Sequence, residues 1–86
     1  MKNNNKDYIA SEKPSLDELI LAIDDVYSID QQRREADWSS LRYKKDFLLE
    51  KCSIIRRVLS AYLGDALTLK GYLDTVDYLE NDFKKL

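Results

Sequence analysis

The sequence predicts an all-α protein: a small antiparallel helical bundle of three helices, or four if the chain breaks near Ser39, around one long central helix. Three observations carry this. Apolar residues Leu41, Leu48, Cys52, Ile55, Leu59 and Tyr62 recur at spacings of three and four, apart from a gap at Lys45, and so form one stripe on a helix. Two shorter segments, one on each side, show the same period. The chain of 86 residues holds only two glycines and one proline, so little interrupts helix formation.

A chain of this length has room for one domain, and about 60% of the surface exposed by its unfolded form is buried on folding. The expected organisation is a flexible N-terminal arm at 1–13 and a single helical domain at 14–86. The arm is polar with an Asn run, and Tyr8 and Ile9 are its only adjacent large apolar residues. A single cysteine excludes an internal disulfide, and no Cys/His spacing suits zinc. No apolar run reaches the roughly 18 residues of a membrane-spanning helix, and the first residues lack the apolar centre of a secretory signal. A cytoplasmic protein is the expectation.

The first predicted helix covers 15–28. Ser15 and Glu18 form a capping box, and Asp17 and Glu18 suit the positive end of the helix dipole. Leu16, Leu19, Ile20, Ile23, Val26 and Tyr27 supply its apolar face. A second start signal at Ser28 and Gln31 predicts a short link there, folding the chain back and bringing Asp24, Asp25 and Asp30 near Arg33 and Arg34.

From 31 to 63 no proline or glycine intervenes, which allows a central helix of about 50 Å. Asp37, Ser39 and Ser40 favour caps over helix interiors and mark the place where it can break. Trp38 shares the stripe of Leu41 and is expected in the core. Gly64, just past the last apolar residues, is expected to end the helix in a left-handed cap. Thr68 is expected to cap the third helix, 68–84, whose apolar face is Leu69, Tyr72, Leu73, Val76, Leu79, Phe83 and Leu86. Gly71 weakens its first turn and offers a close helix approach.

Charge is unevenly placed. Residues 15–30 carry five acids and no base, 31–57 eight bases and four acids, and 58–86 five acids and three bases. Mutual neutralisation on packing accounts for this better than an external polyanion does. With no histidine the commonest general base and metal ligand is missing, and two glycines cannot build a phosphate-cradling loop. No catalytic, cofactor-binding or metal-binding residues are assigned; the chain is expected not to be an enzyme and to need no cofactor. Asp74, Asp77 and Glu80 lie on one helix face, too few and too close in origin for a cation site. Cys52, in the middle of the stripe, is expected to be a small buried hydrophobe.

What remains is binding. If the two shorter helices lie end to end along the central one, the result is an open two-layer arrangement that leaves Phe47, Leu49, Ile54, Val58 and Leu63 to the sides of the main stripe. Such a patch predicts a protein partner or a homodimer docked against the central helix. The expected role is that of a small non-enzymatic protein that binds another protein: an inhibitor, an immunity or antitoxin-like factor, or a small chaperone or adaptor. The alternative is a nucleic-acid-binding regulator using Arg33, Arg34, Arg42, Lys44 and Lys45. It is disfavoured because the bases wrap around the helix and the chain is acidic overall. In size and helix order the chain resembles the small helical immunity proteins of Gram-positive bacteriocin producers. Those proteins are commonly basic, whereas this chain has a net charge of −2.

Overall fold

The structure, a computed structural model, describes residues 13–86. Four helices follow in order: α1 (Leu16–Glu35), α2 (Trp38–Tyr43), α3 (Lys45–Tyr62) and α4 (Leu69–Lys84). The expected arm at 1–13 lies outside the described residues except for Lys13. The all-α bundle is as expected; the helix boundaries differ in ways that decide the surface.

Helix α1 begins as predicted. The Ser15 hydroxyl accepts from the Glu18 amide at 3.1 Å, and the Glu18 carboxylate accepts from the Ser15 amide at 2.8 Å. It does not stop at residue 28. The second capping box stays unused, because continuing for two more turns buries Ile29 and brings Arg33 to Asp82. A local cap is worth about 1 kcal/mol, less than the 1.5–3 kcal/mol of a buried Ile side chain. No link forms at 28–31. Asp30 instead pairs with Arg34 one turn along its own helix, at 2.6 Å, and Asp25 with Lys51 of α3, at 3.3 Å.

The chain turns at Ala36 and Asp37, which confirms the four-helix alternative near Ser39 and removes the single helix over 31–63. Asp37 caps α2 by accepting from the Ser40 amide at 2.8 Å. A second kink follows at Lys44, whose backbone leaves the helical range (φ −103°, ψ 10°) while its amide bonds back to Leu41. The break coincides with the gap in the apolar stripe, where two lysines stand in place of a core residue. Trp38, expected inside, opens α2 and is 44% exposed, with the Arg33 guanidinium over its ring.

The turn after α3 also differs from expectation. Gly64 does not adopt a left-handed conformation, and Leu63 is the capping position. Thr68 makes no side-chain cap bond. A methyl group at Gly71 would meet open space, so this glycine permits no close approach.

Packing closes around one core. Glu18 and Leu21 of α1 share a groove with Ile54 and Val58 of α3, and Asp25 meets Lys51, so these helices are antiparallel. Tyr27 meets Tyr72 and Arg33 meets Asp82, so α1 and α4 are parallel. Helix α3 is antiparallel to both. All three pairs touch, so the open two-layer arrangement does not form; the breaks at residues 36–37 and 44 let short helices enclose a common interior instead. Leu41, Leu48, Cys52, Ile55 and Leu59 of the predicted stripe are buried together with Leu69, Val76, Leu79 and Phe83. On α1 the buried residues are Ala22, Val26 and Ile29, whereas Leu16, Ile20 and Tyr27 point outward.

Candidate functional site

Of the five apolar residues expected at a partner surface, the fold exposes Phe47 and Ile54, half-buries Leu49 and Leu63, and buries Val58. Val58 is the correction: α1 runs across α3 at this level and covers it. The result is a groove of about 170 Å³ between α1 and α3, lined by Leu21, Ala22, Ile54, Ile55 and Val58, with Glu18 and Asp25 at its α1 side. Leu21 is 61% exposed and Ile54 41%. Phe47 lies seven residues before Ile54 on the same face of α3, about 10.5 Å away along the axis, and extends the apolar line beyond the groove. Lys51, between them, packs against the Phe47 ring at 5.8 Å while it pairs with Asp25.

Charge on the two sides of this groove is unlike. Asp17 and Asp24 flank Leu21 one turn before and after, with Glu18 and Asp25 beside them. This α1 face carries four carboxylates and no base. The α3 side carries Lys51 and Arg57 together with Glu50.

The five basic residues of the nucleic-acid alternative do not act together. Arg33 is held by Asp82 and lies over the Trp38 and Tyr78 rings, and its bond to Asp82 raises its pKa further. Arg34 is held by Asp30. Arg42, Lys44 and Lys45 make no ion pair within the described residues. Two of the five are therefore committed to the fold.

Other candidates resolve into structure. Asp77 and Glu80 both grip Arg56 of α3, and Asp74 pairs with Lys70 at 3.1 Å, so the acidic face of α4 is neutralised locally. No group of three potential metal ligands occurs among the described residues. Cys52 is buried, which pushes its thiol up to about 11. A second, wider groove of about 440 Å³ runs between α1 and α4, lined among others by Tyr27, Asp30, Gly71, Tyr72 and Thr75. The two phenols hydrogen-bond across it at 3.1 Å, and that bond holds Tyr72 above the usual tyrosine range.

Sequence reasoning missed Leu21. It stands outside the three-four spacing of its neighbours, and that irregularity is the only signal that it serves a different face. Leu16, Ile20 and Leu67, assigned to the core or to a turn, are likewise exposed, near the end where Lys13 meets Asp65 and Pro14 meets Tyr62. Comparison with protein-family models, with curated proteins and with solved structures finds no match to this chain.

Proposed function

We propose that this protein acts without catalysis by binding another protein, and that the α1–α3 groove receives one face of an amphipathic helix with basic flanking residues. The observation that carries this reading is the groove itself: apolar Leu21 and Ile54 exposed over a floor of Ala22, Ile55 and Val58, beside an α1 face bearing four carboxylates and no base. Grooves between antiparallel helices accept a third helix through residues spaced three, four and seven apart, and Ile54 and Phe47 offer anchoring points at that repeat. Basic residues beside the partner's apolar face would meet Asp17, Glu18 and Asp24.

The double substitution Leu21→Asp/Ile54→Asp tests this. Both side chains are exposed, so helix content and melting should change little, while a protein captured stoichiometrically from the native host by the wild type should be lost. A capture pattern unaltered by the substitutions, or saturable binding of a small molecule with no protein partner, defeats the reading. Sedimentation at micromolar concentration separates the homodimer form of this proposal: a second copy in the groove doubles the 10.1 kDa mass, and the double substitution restores it.

A further inference from the structure

Twelve lysines and arginines lie within the described residues, and six of them hold a carboxylate: Lys13, Arg33, Arg34, Lys51, Arg56 and Lys70. The six without an ion pair are not scattered. Arg57 stands alone on α3, and the other five gather at one end of the bundle: Arg42 and Lys44 on and after α2, Lys45 at the start of α3, and Lys84 and Lys85 at the end of α4. The fold brings them together because α3 runs antiparallel to α4. Arg33 secures the arrangement by touching both Trp38 of α2 and Asp82 of α4.

Exposed aromatic rings accompany these cations. Tyr43 is 93% exposed, Trp38 and Phe47 roughly half so. Of the acids at this end, Asp82 is neutralised by Arg33, while Asp37 keeps its charge and accepts from the Ser40 amide. Asp46 and Glu35 remain beside the cations. The opposite end carries Asp17 and Glu18 beside the Lys13–Asp65 pair, so the molecule has a charge axis along its length that would orient it in an external field.

We propose that the α2 end is a docking surface for an anionic lipid bilayer, on which the bundle stands end-on as a peripheral protein. No helix among the described residues is long and apolar enough to cross a membrane, so attachment would be interfacial. Lysine and arginine beside anionic headgroups, with tyrosine and tryptophan at headgroup depth, match both components of such an interface. Charge alone would fit a nucleic acid as well. The lipid surface is favoured because the rings beside the cations include the amphipathic Trp38 and Tyr43, the side chains that settle at headgroup depth. The cations come from three separate segments, α2 with Lys44, the start of α3 and the end of α4, so they spread over the end of the bundle.

The lone tryptophan provides the readout. Purified protein is titrated with phosphatidylcholine vesicles containing about a third phosphatidylglycerol, and with pure phosphatidylcholine vesicles, at low and physiological salt. The expected result is a blue shift of Trp38 emission and flotation with the anionic vesicles only, both weakened by salt. Each cation near such a surface is worth about fivefold in partitioning, so Lys44→Gln/Lys45→Gln and, independently, Lys84→Gln/Lys85→Gln should each lower it about 25-fold. Arg57→Gln, remote from this end, should lower it by much less than the roughly fivefold of a cation at the surface. The proposal is overturned by absence of binding to anionic vesicles at low salt, by equal binding to both vesicle types, or by a loss with Arg57→Gln as large as with either double substitution. Saturable binding of a single-stranded oligonucleotide that depends on the same lysines, without vesicle binding, would overturn it in favour of nucleic acid.

Discussion

The Arg33 guanidinium lies against the Asp82 carboxylate, joining the last turns of two parallel helices whose chain positions are 49 residues apart, and it stacks at the same time over Trp38 at 5.8 Å and Tyr78 at 5.9 Å. One side chain thus ties α1, α2 and α4 together at the end where the chain turns twice. A planar, multidentate cation can do this and an ammonium cannot. Arg33→Lys should therefore lower the melting temperature, and a double-mutant cycle with Asp82→Asn should show coupling. Additive effects of the two substitutions would refute the pairing.

Core register is tested by two leucines with the same chemistry and opposite surroundings. Leu48 is fully buried in α3, whereas Leu16 in the first turn of α1 is 67% exposed. Leu48→Ala should cost about 2–5 kcal/mol in denaturant unfolding, and Leu16→Ala less than about 0.5 kcal/mol. A comparable loss at both sites would mean that α1 packs through its sequence-predicted face after all.

The two expected serine and threonine caps should separate in the same way. Ser15→Ala removes a reciprocal pair of bonds and should destabilise by about 1 kcal/mol, while Thr68→Ala removes no cap bond. Thermal melts of the two variants compare them directly; equal losses would contradict the structure of the turn before α4.

Gly71 lies inside α4 with nothing within 4 Å of an added methyl group. Gly71→Ala should therefore stabilise the protein by about 0.5–1 kcal/mol, since alanine restricts the unfolded chain and favours helix. Destabilisation would show that some neighbour occupies the adjoining groove.

Two groups give the stability a defined pH dependence. The Ser40 amide holds the Asp37 carboxylate below its ordinary range, so its contribution is complete above about pH 4 and is lost as pH falls through the folded value. The difference in melting temperature between wild type and Asp37→Ala should shrink on acidification. Cys52 works in the opposite direction: burial raises its thiol to about 11, so the folded state keeps a proton that the unfolded chain releases above about pH 8.5. Stability should decline between these values, and Cys52→Ala should flatten that part of the profile. A thiol reagent at pH 8 should label the protein only as fast as it unfolds; rapid labelling of the native protein would place Cys52 elsewhere than in the core.

Much of the fold is legible in the residues themselves. The stripe from Leu41 to Leu59, the face from Leu69 to Phe83 and the capping box at Ser15 depend on neighbours three or four positions away, and such short-range patterns survive whatever the helices pack against. They determine an all-α chain, the interior of α3 and α4, and the start of α1. The candidate groove was legible in part: the side positions Phe47 and Ile54 do reach the surface, while Val58, beside them in the same pattern, does not.

Contacts distant in sequence decided the rest. Whether α1 ends at Ser28 or at Glu35 depends on Ile29 reaching the core and Arg33 reaching Asp82, gains that exist only once α4 is in place. Leu21 and Ile54 form a groove, and Val58 its floor, only because α1 crosses α3 in one particular register. The basic end likewise has no counterpart in the linear order, where Lys44 and Lys84 are 40 residues apart; it exists because antiparallel packing of α3 against α4 places a helix start beside a helix end. Local spacing specifies which face of a helix is apolar, but how much of that face becomes covered is set by the helices that arrive to bury it, through the area each removes from water.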